Sequence, residues 1–230
     1  MILLCYLIML AAPYLICGIN SAIIVTRIKS GVDIRTLGSG GAGLTNVLRT
    51  QGKTAAVFVL FGDVLKGVAS VIVVRLAFLY LADTNTADLS LGMNWIAYFA
   101  GIMACLGHVF PLYYGFKGGK GVLVTLAVLY AIDWVSASIL LGIFITVVAA
   151  TRYVSLGSVI AGACYPICVF TLSLMKNDVS AYPNLACSLV IAAILIFMHR
   201  GNIKRLINKT ERKLGVSERF KKPDNEPDTE

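Results

Sequence analysis

Seven apolar runs, separated by short polar segments, cover most of the chain. A membrane-spanning helix needs about 20 mainly apolar residues, because the hydrocarbon core of a bilayer is about 30 Å thick. The pattern therefore predicts an all-α integral membrane protein, a bundle of about seven transmembrane helices. The fourth run is shorter than a full span, so five or six crossings with a re-entrant piece remain open. The predicted runs cover residues 1–25, 54–81, 92–111, 122–133, 134–150, 156–175 and 185–198.

The distribution of Lys and Arg predicts how the bundle is oriented, because positively charged residues favour cytoplasmic loops. Arg27, Lys29 and Arg35 follow the first run, whereas the loop 83–91 has neither Lys nor Arg. We therefore expect the N-terminus outside and the C-terminus in the cytoplasm. A secretory signal peptide carries basic residues before its apolar stretch. None precedes Arg27, so the first run is interpreted as a span.

Composition supports the membrane class. Of the 230 residues, 58% are hydrophobic and 14% are charged, with a mean hydropathy of +0.82; soluble domains carry about 25% charged residues. The net charge is +8, and the basic residues lie between the apolar runs. This placement favours anionic headgroups or an anionic substrate over a nucleic acid as the binding partner. We expect residues 1–213 to form a single membrane domain and residues 214–230 a charged, disordered cytoplasmic tail.

Cysteines and other reactive side chains give no sign of a metal or cofactor. No CxxC pair is present, so a zinc site is not expected, and buried thiols pack as small apolar side chains. No carboxylate pair, metal-ligand cluster or Ser-His-Asp order stands out. The six cysteines, all in or beside apolar runs, are Cys5, Cys17, Cys105, Cys164, Cys168 and Cys187.

A glycine-lysine stretch, residues 107–122, is the first candidate for chemistry. Its glycines let backbone N–H groups approach a ligand, and a helix starting at Val122 would add its positive end. Because Gly121 follows Lys120, the stretch is not a nucleotide-binding Walker A loop, which requires Ser or Thr there. We interpret it as a phosphate cradle; a basic cytoplasmic loop is the alternative. Its glycines and lysines are Gly115, Gly118, Gly119, Gly121, Lys117 and Lys120.

A second glycine-rich loop, residues 37–43, precedes a short amphipathic pattern. We predict a turn that leads into a short helix at the membrane surface. Ser39 and Thr45 offer hydroxyls, Asn46 an amide and Arg49 a guanidinium that can bind phosphate through two hydrogen bonds. A flexible linker with a surface Arg is the alternative.

Two further polar clusters lie in loops assigned to the cytoplasm. Ser155 and Ser158 are three residues apart, and so are His199 and Asn202, so each pair shares a helix face. A helix cap is the alternative for Ser155, and a structural interfacial side chain is the alternative for His199. With the two glycine loops, these clusters predict a site for one or two phosphate groups at the inner leaflet.

Polar residues also occur inside the apolar runs. Asp63 and Lys66 lie at helical spacing within the second run, and buried ionisable groups in membranes are usually paired or functional. We predict an intrahelical ion pair. In the first run, Pro13, Gly18 and Asn20 indicate a kink or a surface that faces other helices.

These motifs resemble the bacterial membrane family of acyl-phosphate:glycerol-3-phosphate acyltransferases, often called PlsY, over nearly the whole chain. The pattern GSG-x-x-G-x-TN-x-x-R lies at 38–49, GH-x-FP…FKGGKG at 107–121, and HR-x-N-I-x-R at 199–205. The segments 63–67 and 152–158 are similar to the family as well. Family members often have Asn where this chain has Gly41, which removes one possible ligand to phosphate.

The resemblance implies transfer of a fatty acyl group from acyl phosphate to the 1-hydroxyl of glycerol 3-phosphate. The products would be lysophosphatidic acid and inorganic phosphate, in the first step of phospholipid synthesis. It also implies a seven-helix bundle in the bacterial inner membrane, with a cytoplasmic site and no coenzyme A, metal or other cofactor. A carrier for an organophosphate or anion, and a catalytically impaired lipid-binding relative, are the alternatives.

The motif residues divide between the two implied substrates. Ser39, Asn46 and the loop Gly118, Gly119, Lys120 and Gly121 would bind acyl phosphate, with backbone N–H groups facing the departing phosphate and the oxyanion. Thr45 adds a hydroxyl. The hydroxyl proton would leave through His199 or through a substrate phosphate, and His199, Lys120 and Ser39 are the predicted catalytic groups. Glycerol 3-phosphate would be held by Arg49, Lys120, Ser155 or Ser158, His199 and Asn202.

Overall fold

The structure is a computed structural model that describes residues 1–82 and 94–215. The described residues form ten α-helices and no strand. The predicted loop 83–91 and most of the predicted tail lie outside them. In chain order the helices are α1 (Ile2–Gly18), α2 (Ser21–Ser30), α3 (Leu44–Thr50), α4 (Lys53–Leu81), α5 (Asn94–Val109), α6 (Val122–Ile132), α7 (Trp134–Thr151), α8 (Val154–Met175), α9 (Ala181–Met198) and α10 (Arg200–Ile207).

All seven predicted apolar runs contain helix, which confirms the all-α membrane architecture. In the described part of the chain, six helical segments are long and apolar enough to cross a membrane, with α1 and α2 counted as one. The seventh, α6, has 11 residues and is therefore about 16 Å long at 1.5 Å per residue. It covers about half of a bilayer core, as the short fourth run indicated.

The predicted kink in the first run is a break between α1 and α2 at Ile19 and Asn20. The Asn20 side chain caps α2, since its Oδ1 accepts from the Ile23 N–H at 3.1 Å. Its Nδ2 donates to the Ala42 carbonyl at 3.4 Å. The break is therefore hydrogen-bonded to the glycine-rich loop 37–43.

Small residues bring the helices into close contact. A Cβ at Gly67 of α4 would lie 2.9 Å from the Cβ of Ala127 in α6, and a Cβ at Gly101 of α5 would lie 2.9 Å from Val128. Close backbone approach of this kind is how membrane helices gain packing energy. It places α6 between α4 and α5, where it can carry the glycine-lysine loop into the bundle.

Large apolar side chains face outward on several helices. Phe58, Phe61 and Leu65 on α4 are 63%, 67% and 71% exposed, as expected for side chains that contact lipid. The buried pair on the same helix is Asp63 and Lys66, whose Oδ1 and Nζ lie 2.8 Å apart. The predicted intrahelical ion pair is confirmed.

Candidate active site

A cavity of about 820 Å³ collects the predicted polar residues from five segments of the chain. Of the predicted site residues, Gly118 alone does not line it. The convergence of the motifs is therefore as predicted, while their roles in binding remain predictions. The residues brought together are Ser39, Thr45, Asn46, Arg49, Gly119, Lys120, Gly121, Ser155, Ser158, His199 and Asn202.

The glycine-rich loop 37–43 is shaped by the amide of Asn46, which is buried at the start of α3. The Oδ1 atom accepts from the Ser39 N–H at 3.0 Å. Because both polar atoms of this amide are used by the loop, Asn46 positions Ser39 and is not free to bind acyl phosphate as predicted. The Nδ2 atom donates at 3.0–3.3 Å to the carbonyls of Ile34, Leu37 and Gly41.

The glycine-lysine stretch, residues 107–122, uses two of its N–H groups to cap α5. The Gly118 N–H donates to Val109 O and the Gly119 N–H to His108 O, both at 3.1 Å. The expectation that these two groups face a ligand is therefore wrong. Gly121 has φ +85° and starts α6; the first N–H groups of a helix have no partner within that helix. Of this stretch, the start of α6 therefore has N–H groups directed at the cavity that it lines, and binding of an anion there stays a prediction.

The carboxylate of Glu211 joins three predicted elements of the site. Its Oε1 accepts from Ser155 Oγ at 2.8 Å and from Asn202 Nδ2 at 2.7 Å, and its Oε2 accepts from Arg205 Nε at 2.7 Å. Lys120 Nζ in turn donates to Asn202 Oδ1. Glu211 was not predicted as a site residue, and Arg205 was named only as the end of the motif 199–205, although Glu211 is the lone acid within the basic segment 200–213.

The serines of α8 have different surroundings. Tyr153, not Ser155, is the N-cap of α8, so the capping alternative for Ser155 is wrong. The Ser158 hydroxyl donates to Val154 O at 2.9 Å within the helix. Ser155 therefore faces the charged cluster through Glu211, whereas Ser158 contributes to the wall of the cavity.

The pKa values of Lys120 and Glu211, at the polar end of the cavity, are shifted by burial and by neighbouring charges. Burial lowers the pKa of Lys120 to about 8; Glu211 opposes this shift, and Arg205 and Arg49 add to it. Although burial raises the pKa of Glu211, hydrogen bonds from Asn202, Ser155 and Arg205 hold it below its usual value. The site therefore contains a carboxylate and an ammonium group that can lose its charge in mildly alkaline solution.

His199 has a defined tautomer. Its Nδ1 lies 2.8 Å from the Leu195 carbonyl, which can only accept, so Nδ1 carries the proton and Nε2 keeps its lone pair. Burial lowers the pKa of His199 to about 4, the bond to Leu195 raises it and Lys120 lowers it further. The buried imidazole is thus neutral at pH 7 and presents an acceptor to the cavity.

Arg49 lies at the mouth of the cavity, where its Nη2 donates to the Arg212 carbonyl at 3.2 Å. Ser39 is exposed at the same mouth. A Cβ at Gly41 would have only the Ser39 Oγ within 4 Å, at 3.7 Å. The backbone therefore accepts a Cβ at this position, where family members often carry Asn.

Beyond the charged end, the cavity continues as an apolar arm between α6, α7 and α8. Its deepest residues, Leu129, Leu140 and Tyr165, belong to the buried core of the bundle. A cavity with a cationic end and an apolar arm is suited to an amphiphile with an anionic head. The apolar arm is lined by Val122, Leu126, Leu129, Tyr130, Leu140, Leu141, Phe144, Ala161, Gly162, Tyr165 and Leu195.

Comparison with known proteins connects this site to a family. A family model described as glycerol-3-phosphate acyltransferase matches residues 7–209. The chain is 43% identical over 211 residues to the glycerol-3-phosphate acyltransferase of Clostridioides difficile (strain 630), covering 91% of this chain and 96% of that protein. It is 41% identical over 205 residues to the Geobacter sulfurreducens protein of the same name, covering 89% and 95%.

Two solved structures share the fold. One is PlsY (YgiH), an integral membrane glycerol 3-phosphate acyltransferase, in its glycerol 3-phosphate form, with a TM-score of 0.74 and 33% identity over 91% of this chain and 96% of that one. The other is the lysophosphatidic acid form of PlsY (YgiH), with a TM-score of 0.72 and 32% identity over 91% and 95%.

Proposed function

This chain belongs to the glycerol-3-phosphate acyltransferase family, and from that premise we propose that it uses acyl phosphate as its acyl donor. The fatty acyl group is transferred to the 1-hydroxyl of glycerol 3-phosphate. The observation that carries the proposal is the single cavity with a cationic end and an apolar arm. One end suits two phosphate-bearing groups, and the arm suits a fatty chain.

Glycerol 3-phosphate binds at the charged end of the cavity. Lys120, Arg49 and Arg205 contribute positive charge there, and Asn202 and Ser155 contribute hydrogen-bonding groups. A phosphate dianion interacts strongly with such donors because both partners are charged. The glycerol 3-phosphate form of the similar structure supports glycerol 3-phosphate as the acceptor.

The acyl phosphate lies with its chain in the apolar arm and its phosphate at the start of α6. The N-terminal end of a helix attracts anions, and Ser39 and Lys120 border the same space.

The reaction forms one bond and breaks another. The 1-hydroxyl oxygen bonds to the acyl carbonyl carbon, and the bond from that carbon to the phosphate oxygen breaks. The products are lysophosphatidic acid and inorganic phosphate, which finally holds the hydroxyl proton. The lone pair on Nε2 of His199 supports a route in which this side chain accepts the proton first. Direct transfer to a substrate phosphate is the other route.

The site faces the cytoplasm of a bacterium, in its inner membrane, where the activity starts phospholipid synthesis. Basic residues next to the cavity support this orientation, because Lys and Arg concentrate on the cytoplasmic side. Lys117, Arg152 and Lys204 are exposed at this end of the bundle. The N-terminus then lies outside, since the first span ends at the same cytoplasmic side.

An assay on detergent-purified protein tests the donor. With palmitoyl phosphate and glycerol 3-phosphate we expect release of inorganic phosphate and formation of lysophosphatidic acid. Palmitoyl coenzyme A in place of palmitoyl phosphate should give no product. Product from the thioester alone would overturn the proposed donor. Turnover in detergent, without a sealed membrane, would also exclude a carrier as the source of the signal.

A further inference from the structure

A buried polar cluster that the reaction above does not use lies beside the cavity. It centres on the Lys66 ammonium of α4, which lies 2.8 Å from Asp63 Oδ1. The same ammonium donates to the Ile19 carbonyl at 2.8 Å, at the break between α1 and α2. It also contacts Nδ1 of His108, near the end of α5, at 3.1 Å. Three segments of the bundle thus meet at one positive charge.

This cluster fixes the tautomer of His108. An ammonium group has donors only, so the His108 nitrogen that faces it must be the acceptor. The other two contacts of the Lys66 ammonium, the Asp63 carboxylate and the Ile19 carbonyl, are acceptors as well. The proton of the neutral His108 ring is therefore on Nε2. This is the opposite of His199, whose Nδ1 carries the proton.

The Nε2 end of His108 points toward the glycine-lysine loop and lines the cavity. His108 is 3% exposed, its Nδ1 is engaged by Lys66, and its Nε2 is left to the cavity that the side chain lines. A Cβ at Gly119 would overlap this atom. Glycine at that position thus leaves space for the imidazole beside Lys120 and Gly121. An N–H donor that borders the cavity is available to a ligand bound there.

We propose that the Nε2–H group of His108 donates a hydrogen bond to the carbonyl oxygen of the acyl donor. The inference rests on the acyl transfer described above. When the hydroxyl oxygen adds to the carbonyl carbon, the electron pair of the C=O double bond moves onto oxygen. It returns when the bond to phosphate breaks. His108 keeps its proton throughout, and its donor is oriented before the negative charge develops.

His108 is therefore a catalytic residue that acts as a donor, and Lys66 is a positioning residue that acts through it. The lone pair of His108 is engaged by Lys66, so His108 does not compete with His199 for the hydroxyl proton. The two histidines of the chain therefore have different roles. His108 stabilises the oxyanion, and His199 accepts the proton of the hydroxyl.

A pair of amide variants separates this role from a structural one. In His108→Gln the amide N–H reaches about as far as Nε2, whereas the shorter His108→Asn can still accept from Lys66 but presents no donor at Nε2. We expect His108→Asn to lower kcat by about 10²- to 10³-fold, and His108→Gln to recover at least about tenfold of that loss. The KM for glycerol 3-phosphate should stay within about twofold in both.

Equal losses in the two variants, or a kcat of His108→Asn within about threefold of wild type, would overturn the role. The wild type is measured in parallel with palmitoyl phosphate and palmitoyl coenzyme A. If only the thioester supports turnover, the donor proposal fails, and the variants are then compared with that donor.

A measurement on the wild-type protein keeps the inference testable if the variants do not fold. The chain has two histidines, so ¹⁵N-imidazole NMR can assign both with the help of His199→Ala. We expect His108 to be protonated at Nε2, and its resonance to shift when a palmitoyl phosphonate, which keeps the carbonyl but cannot transfer, is added. Protonation at Nδ1, or no shift with bound phosphonate, would exclude the proposed donor.

Discussion

Lys120 carries a positive charge into a cavity whose low polarity disfavours it. Asn202 Oδ1 accepts from its ammonium, and Glu211 lies one hydrogen bond beyond. Burial nevertheless holds the pKa of Lys120 at about 8, against 10.5 for an exposed lysine. The side chain is thus charged at neutral pH and close to losing its proton. A phosphate dianion that binds beside it would favour the charged form again.

The pH dependence of substrate binding should report this balance. In the empty site Lys120 loses its proton as the pH rises through about 8, so binding must then take up a proton. We expect the KM for glycerol 3-phosphate to rise above pH 8, by at most about tenfold per pH unit. In Lys120→Arg the guanidinium stays charged, so the rise should disappear. A rise of the same size in Lys120→Arg would assign the titration to another group.

Local patterns predicted several single-residue features and missed others. The Asp63–Lys66 pair followed from helical spacing alone. The full hydrogen bonding of the Asn46 amide could not be predicted from spacing, because it depends on how residues 34–41 fold around it. The contact between Ser155 and Glu211 could not be predicted either, because the two residues are 56 positions apart. Sequence patterns identify groups that share a helix face, whereas bonds between distant segments require the packed bundle.

At the scale of elements, two helix starts border the polar end of the cavity. Both α6 and α8 lack a side-chain cap, and their first residues line the cavity. The start of α6 was predicted at Val122 because an apolar run follows the glycine-lysine loop. The short helix after the glycine-rich loop 37–43 was predicted from an alternation of apolar and polar residues, and it is α3. What the sequence did not show is that Gly118 and Gly119 donate to the end of α5.

The long helix α4 carries the ion pair that links it to α1 and α5, and a pair of substitutions can test its contribution. Lys66→Met would leave Asp63 charged and buried, so we expect it to destabilise the folded protein by about 3–5 kcal/mol. The double variant Asp63→Asn with Lys66→Met removes both charges and should regain most of that stability. Thermal unfolding in one detergent measures both.

The double variant also separates stability from catalysis. It would remove the group that fixes the His108 tautomer, so its kcat should remain low even where its folding is restored. A double variant no more stable than Lys66→Met would contradict the charge-pairing account of the cluster.

At the scale of the whole molecule, the apolar arm borders the buried core of the bundle. The lining residues on α8 extend from Val154 to Tyr165, and the next buried residue on that helix face, Val169, packs in the core beyond. Leu129 of α6, Leu140 of α7 and Tyr165 of α8 are buried side chains at this border. The volume of this arm should therefore limit the length of the acyl chain.

Filling the arm tests that limit. A Cβ at Gly162 would lie 3.8 Å from Leu195, so the backbone accepts a side chain that then occupies the arm. We expect Gly162→Leu to raise the KM for palmitoyl phosphate by about tenfold or more, with little effect on an octanoyl donor, since each buried methylene contributes about 0.8 kcal/mol.

Gly142→Leu provides the matched control. Gly142 has no neighbour within 4 Å of a Cβ and is not among the residues that line the cavity, so this variant should keep the chain-length profile of the wild type. Equal effects of Gly162→Leu on the two donors would show that the chain lies elsewhere.

The depth of the apolar arm bears on which monolayer receives new lipid. Ser155 at the charged end and Tyr165 in the arm are ten residues apart on α8, or about 15 Å at 1.5 Å per residue. That is half the thickness of the hydrocarbon core, which is about 30 Å. With the cytoplasmic site and the acyl donor proposed above, new lipid would enter one monolayer alone, and expansion of the opposite one would require a separate step that moves lipid across the bilayer.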